Sequence, residues 1–388
     1  MIAPQGERWV VELRHQGQLI ASSAVSLCLS GSAEEPGDVL RPGDKIAIKG
    51  NDALLELVLL SPCVVPWNSH RLGFAEAEGW RNFLNLVRGF FQDGGFLEIA
   101  TPSLVVCPGT EPSLDPLAVS LRTGSRTEQR YLPTSPELHL KKFLAQGWNR
   151  IFEIRSCFRD GEHSNHHQIE FTMMEFYRAF EGLEAIEKDL ESLLERMNRA
   201  GLVLGGLQSC RRYTVADLFK NSFDFELRAD TTAAELGSLC ARTAIASHHS
   251  DSWNDLFHRL WLERIEPWLG AQDFPIFVGS FPPTQAALAR IGADGWAERV
   301  ELFWRGMEIA NGFHELNDPA EQQRRFMHDL DEKQKLGKVK IPLDEDFMNA
   351  LLSGMPPASG IAVGLERLFM AARKIERIQS LKAFPYGN

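Results

Sequence analysis

Residues 151–177 read IFEIRSCFRDGEHSNHHQIEFTMMEFY, and residues 360–368 read GIAVGLERL. The first stretch predicts a strand (RIFEIRSCF), a polar loop (RDGEHSNHHQI) and a second strand (EFTMMEFYRAF). Strands joined this closely predict an antiparallel sheet rather than βαβ crossovers. Period-two alternation puts Phe171, Met173, Glu175 and Tyr177 on one face of the second strand. The loop offers Arg159, His163, His166 and His167. An arginine beside an aromatic platform and carboxylates suits a site for a phosphorylated base and an amine. The guanidinium fork donates to phosphate oxygens, and a Phe can stack on a base. GIAVG predicts a strand feeding the helix LERLFMAARKI.

Working outward, a helix is predicted from Ala75 to Gln92, with Trp80, Phe83, Leu84, Val87 and Phe91 on one face as core packing. FLEIATPSL reads as a strand stopped at Thr101-Pro102. Ser135 is the expected N-cap of a helix with Pro136 in its first position. GLEAIEKDLESLLERMNRA predicts an amphipathic helix with Leu183, Ile186, Leu190, Leu193 and Met197 inward. VELFW and MEIAN predict a hairpin turned at Arg305-Gly306. PAEQQRRFMHDLDEKQKLG and DEDFMNALLSG predict helices, with QQRRF and EKQKLGK read as solvated faces. The expected class is α+β. No Gly-rich phosphate loop opens a βα unit near the start, which argues against Rossmann and P-loop folds.

Residues 1–66 read as a small β-module of short strands (WVVEL, QLIASSAV, KIAIKG, LLELVLL), followed by the linker SPCVVPWN and a catalytic part over 70–388. Trp9, Arg8, Arg14 and Lys45 give that module little of the basic and aromatic interleaving of a nucleic-acid face. The net charge of -11 points the same way. No run approaches the ~20 apolar residues of a membrane helix, and no signal-peptide pattern is present, so a cytoplasmic protein is expected. The six cysteines, at 28, 63, 107, 157, 210 and 240, have no CxxC spacing and read as small buried apolar residues rather than zinc ligands.

The two opening segments resemble motifs 2 and 3 of class II aminoacyl-tRNA synthetases, and GFLEIATPSL resembles motif 1. SPELHLKKF, EFTMMEFY, MEIANGFHELND and GMPPASGIAVGLERL are similar to lysyl-tRNA synthetase. The resemblance implies an antiparallel-sheet catalytic domain flanked by helices, a homodimer, and ATP with magnesium. It implies that Arg159 contacts the α-phosphate, His167 lies near the outer phosphates and Phe171 stacks on adenine. Arg367 would cover the other adenine face and hold the γ-phosphate, and Glu301 and Glu308 would coordinate magnesium. Glu137, Glu175, Tyr177, Asn311 and Glu315 would surround the amino acid. The residues agree with this: Glu137, Glu175, Glu308 and Glu315 crowded together call for cations, which magnesium and a substrate with two ammonium groups supply. Aspartate would call for Lys or Arg there. Read without the motifs, Glu137 is a first-turn helix residue favoured by the macrodipole, and His163 and His166 are loop polarity.

Only about 66 residues precede the catalytic part, short of a full anticodon barrel. The chain therefore resembles the elongation factor P–lysine ligase family, a lysyl-synthetase paralogue without that barrel. Ala310 in EIANGFHEL and the segment FPPTQAALA from Phe281 carry this likeness. The implied activity is adenylation of lysine or β-lysine and transfer to a lysine side chain of elongation factor P, with no role for tRNA or a membrane. Ala310 adds one methyl where true lysyl synthetases have Gly, at the pocket around the α-carbon. Three places depart from the motifs: Gly161 stands where Glu is frequent, leaving Glu162 for the adenine edge; Gln168-Ile169 stands where Asn-Pro is common; Ala362 replaces the middle glycine of motif 3. Two rival readings are a lysyl-tRNA synthetase with a reduced anticodon module and a non-catalytic regulatory paralogue.

Overall fold

The structure is a computed structural model. It describes side chains for residues 76–383, with Thr123 by backbone alone; residues 74 and 75 and five strands before them are described by backbone only. Those strands are β1 (Ile2–Gln5), β2 (Arg8–His15), β3 (Gln18–Val25), β4 (Lys45–Asn51) and β5 (Leu54–Ser61). β1, β2 and β3 form one antiparallel sheet, and β4 and β5 an antiparallel pair. Four coincide with expected segments. β1, sequence IAPQ, carries no alternation that would reveal it. The linker after Ser61, the side chains of Arg8, Trp9, Arg14 and Lys45, and Cys28 and Cys63 lie outside the described residues.

Residues 83–379 form a separate compact unit. Its strands are β6 (Leu97–Glu98), β7 (Ala118–Thr123), β8 (Arg126–Tyr131), β9 (Arg150–Phe158), β10 (Glu170–Ala179), β11 (Arg211–Thr214), β12 (Ile276–Phe281), β13 (Ala297–Trp304), β14 (Met307–His314) and β15 (Ala358–Gly364). Among the described residues the α-helices are α1 (Phe74–Asp93), α2 (Glu137–Ala145), α3 (Leu183–Arg199), α4 (Val215–Phe223), α5 (Ala233–Arg242), α6 (Trp253–Leu260), α7 (Glu266–Gly270), α8 (Pro319–Lys335), α9 (Glu345–Gly354) and α10 (Leu365–Arg373). β7 and β8 make a hairpin of their own, and the other eight strands form one sheet in the order β11–β12–β13–β14–β15–β10–β9–β6.

The sheet is antiparallel through its centre, as expected, and parallel at both ends, in β6–β9 and β11–β12. The second parallel pair needs a long crossover, and α4 to α7 supply it. α4, α5 and α6 each begin with a reciprocal capping box: Thr214 with Asp217, Thr232 with Glu235, and Ser252 with Asp255. That S/T-x-x-D/E spacing stands in the sequence and was the available signal.

Phe83, Val87 and Phe91 of α1 are fully buried. Phe91 lies 5.3 Å from the ring of Phe152 on β9 and 4.6 Å from that of Phe176 on β10. Each such ring contributes about 1.5–3 kcal/mol by leaving water. In α3, Ile186, Leu190, Leu193 and Met197 are buried as expected, Leu183 only partly. Arg305 and Gly306 turn the β13–β14 hairpin with φ of 50° and 78°, as a type I′ turn demands. α2 starts one residue later than expected, at Glu137, although Ser135 Oγ still accepts the Glu137 N–H at 3.3 Å. α8 departs more: Gln322, Phe326 and Lys333 are buried, so its QQRRF and EKQKLGK segments are not solvated throughout. Cys107, Cys157 and Cys240 are buried free thiols, and Cys210 is half-buried.

Candidate active site

Strand register assembles the site. Glu175 of β10 pairs with Ala362 of β15, Ala362 with Asn311 of β14, and Asn311 with Glu301 of β13. Directly paired residues share a sheet face, so this row presents its side chains to one side. Two residues along, Tyr177, Gly360, Phe313 and Arg299 form a second row on that face. Gly360 is obligatory: a Cβ there would lie 2.1 Å from Tyr177 Cε1 and 2.7 Å from Glu315 Oε1. A bulge between Leu302 and Phe303 on β13 and the facing residues of β14 breaks the alternation. It lets Glu308 and Asn311, an odd number of residues apart, both reach the same cavity.

The cavity has a volume of about 1140 Å³. At one end Glu137, Glu175, Glu315 and Tyr177 meet. Tyr177 donates to Glu175 at 3.1 Å. Between the glutamates lies a residue the sequence reading did not select, Lys141. It is fully buried, with Nζ 2.5 Å from both Glu137 and Glu315. The expectation that cations here come only from ligands is thereby corrected. The available signal was the Glu137–Lys141 spacing of four on one helix. Burial pulls the Lys141 ammonium down, but the two glutamates outweigh it and hold it above its ordinary value. Burial, with Glu137 adding repulsion, pushes the Glu175 carboxyl well up. Glu315 is pushed up to about 8, again by burial first. One ammonium does not neutralise three carboxylates, and burial raises Glu175 and Glu315 toward the protonated form that a second cation would reverse.

The other end is basic. The Arg159 guanidinium lies 5.1 Å from the Phe171 ring centroid and 3.7 Å from Glu162, and its Nε is buried without a partner among the described residues. Arg367, in the first turn of α10, donates to the Glu308 carbonyl at 3.0 Å and contacts the His166 carbonyl and His167 Nε2. A guanidinium only donates, so His167 Nε2 is the acceptor, and Nδ1–H donates to Ser164 Oγ at 2.9 Å. Burial, then Arg367, lowers His167 to about 4. His166, expected as loop polarity, lines the cavity as well. Neighbouring Glu366 clamps α10 to β10 by accepting from Thr172 N–H and Oγ–H.

The structure thus brings Arg159, Glu162, His167, Phe171, Glu308, Arg367, Glu137, Glu175, Ala310 and Asn311 onto one cavity wall. Tyr177, Glu315 and Glu301 stand behind that wall, held by Glu175, Lys141 and Arg299. Gly161 has φ of 75°, a left-handed turn position that leaves Glu162 facing the cavity. Arg299, which sequence reasoning missed, lies 4.5 Å from the Phe281 ring and donates to Asn311 and the Gln285 carbonyl. Its place two residues before Glu301 on one strand was the signal. Burial raises Glu301 to about 7, with Arg299 opposing and Glu308 adding to the shift.

The family description "tRNA synthetases class II (D, K and N)" matches residues 80–388. The chain is 35% identical over 310 residues to an elongation factor P–(R)-β-lysine ligase of Edwardsiella ictaluri, covering 78% of this chain and 92% of that one. The chain belongs to this ligase family, within the class II tRNA synthetases. Like-named relatives in Haemophilus influenzae and Hamiltonella defensa are 34% and 32% identical, covering 92% and 93% of their lengths. Family membership accounts for the large, mostly antiparallel sheet and for an ATP-dependent ligase. Residues 1–79 precede the family match. Among the described residues, no helix is long and apolar enough to cross a membrane.

Proposed function

We propose that the protein adenylates lysine or β-lysine with ATP and transfers it to a lysine side chain of elongation factor P. The observation that carries this is charge separation within one cavity. Glu137 and Glu175 line one end, with Glu315 and the Lys141 ammonium directly behind them, and Arg159 and Arg367 line the other. The first end suits a ligand with two ammonium groups, the second a triphosphate. The names of the relatives support the amino acid and the acceptor.

In the first step a substrate carboxylate oxygen attacks the α-phosphorus, and the bond to pyrophosphate breaks. In the second, the acceptor amine attacks the carbonyl carbon, AMP leaves, and the amine gives up a proton. Arg159 and Arg367 stabilise charge developing on phosphate oxygens, while Phe171 offers a face to adenine and Glu162 its edge. His167, kept neutral, helps orient Arg367 near the outer phosphates. Asn311 and Ala310 bound the amino acid between the two ends.

Glu308 on the cavity wall and Glu301 just behind it, now paired with Arg299, offer hard oxygens that would hold magnesium. The described residues hold no cluster of three His, Cys, Asp or Glu arranged for a metal, so nucleotide and ion would bind together. When bound, magnesium supplies charge neutralisation between phosphates. A cytoplasmic homodimer belongs to the same reading: Leu97, Leu104 and Val106, in and after the segment resembling motif 1, are exposed apolar side chains for a second copy to cover.

The test supplies ATP, magnesium and labelled lysine or β-lysine, then offers elongation factor P and tRNA in parallel. Label on the protein acceptor is expected. Label on tRNA alone moves the chain to the lysyl-tRNA synthetases, and absence of amino-acid-dependent pyrophosphate exchange makes it a non-catalytic paralogue.

A further inference from the structure

Glu111, in the loop between β6 and β7, belongs to neither the motifs nor the residues considered so far. It lines the cavity, and its Oε2 is enclosed without a hydrogen-bond partner among the described residues. A buried acceptor left open costs about 1–3 kcal/mol unless something donates to it.

The surrounding structure holds this carboxylate in place. Gly109 has φ of 144°, and a Cβ there would lie 2.4 Å from Glu111 Oε2 and 3.1 Å from Thr134 Oγ1. The side chain therefore folds back over a glycine that cannot be replaced without displacing it. Thr134 fixes that turn by donating to the Pro108 carbonyl at 2.6 Å. Buried Lys333 of α8 reaches across to the loop and donates to the carbonyls of Glu111 at 2.7 Å and Leu114 at 2.6 Å. The lysine gives two of its three donors to the backbone and its charge favours the ionised Glu111, but no hydrogen bond from it reaches Oε2, which stays enclosed and unpartnered among the described residues. Burial raises the Glu111 carboxyl, with Glu137 adding to the shift and Arg159 opposing it. The carboxylate therefore lies within electrostatic reach of both ends of the cavity.

The geometry points to Glu111 as the residue that binds the substrate ammonium nearest the reacting carboxylate, the one whose position distinguishes lysine from β-lysine. This rests on the proposed adenylation. In that reaction the substrate carboxylate must lie toward Arg159, so the amine one or two carbons away falls between Arg159 and Glu137. Oε2 would then accept from a primary ammonium, a charge-assisted bond that satisfies the open oxygen. The distal ammonium remains for the glutamates around Lys141.

The experiment compares the wild type with Glu111→Gln and Glu111→Asp in ATP–pyrophosphate exchange. Substrates are lysine and β-lysine. The probe is 6-aminohexanoate, which keeps the distal amine and lacks the proximal one, measured as a competitive inhibitor. Glu111→Gln is expected to raise KM for the preferred diamine about 10- to 100-fold, equivalent to one charged hydrogen bond, and to leave the 6-aminohexanoate inhibition constant within about twofold. Glu111→Asp, which keeps the charge, should recover part of the loss. Equal weakening of diamine and 6-aminohexanoate, or no change in either, overturns the assignment. Failure of the wild type to exchange pyrophosphate with either diamine instead overturns the adenylation reading itself, and the assignment with it.

Discussion

Replacing Lys141 by Met keeps the length of the side chain and deletes the one ammonium between Glu137 and Glu315. Because the lysine is fully buried, solvent cannot take its place. Breaking a buried ion pair from one side costs about 3–5 kcal/mol, since the surviving charges stay buried and unmatched. With unfolding entropy of about 2.1 cal/mol/K per residue over the unit that folds around the sheet, that is a fall in Tm of roughly 5–8 °C. The sign with pH is also fixed. Glu175 and Glu315 already titrate above their ordinary range, Glu315 at about 8. Without Lys141 they climb further. A carboxyl whose folded pKa exceeds its unfolded value holds an extra proton in the native state, so stability is lost as pH rises through the folded value. The variant's deficit should therefore be small below about pH 8, where both proteins keep the proton, and grow as pH rises above it. Thermal melts of wild type and Lys141→Met at pH 5.5, 7 and 8.5 measure it, and Lys141→Met with Glu315→Gln should regain part of the loss at high pH. A deficit that is the same at every pH, or under about 1 kcal/mol throughout, refutes the view that Lys141 neutralises these carboxylates.

Arg367→Ala removes the contacts to Glu308 and His167; pyrophosphate exchange should fall about 10²- to 10³-fold while the melting curve moves little. Gly360→Ala drives a methyl into the Tyr177 ring, and overpacking of this kind costs about 1–3 kcal/mol, read as a lower Tm with a raised KM for the amino acid and not for ATP. Ala310→Gly opens one methyl of space beside Asn311 and should change the ratio of kcat/KM for lysine over β-lysine by about 10-fold or more; an unchanged ratio denies Ala310 a part in selectivity. Diamine binding should release protons from the carboxylates that burial has raised. Affinity should therefore strengthen from pH 6 towards 8.5 by up to about tenfold per pH unit for each proton released, and calorimetry in buffers of different ionisation enthalpy would show none if the glutamates are already ionised.

Much of this architecture is written locally. Alternation in EFTMMEFY, the Arg305-Gly306 turn and the apolar stripe of α1 are one-segment signals, and they gave strands, hairpin and core helix in the right places. The candidate site was legible where motif strings are contiguous, as in Arg159, Glu175 and Arg367. It was illegible where it depends on which residue faces which. Lys333 illustrates the difference: on a helix dense in charges it reads as solvated, yet it is buried with two loop carbonyls accepting its hydrogen bonds.

The sequence alone determined the α+β class and the central strands, because periodicity and turn chemistry act over a few residues, and its resemblance to the synthetase motifs pointed to most of the residues on the cavity wall. Tertiary structure alone decided that Glu175, Ala362, Asn311 and Glu301 share one row, that a bulge turns Glu308 towards Asn311, and that Lys141 lies between two glutamates. Pairing register and buried charge balance are properties of segments far apart in the chain, and no local pattern records them.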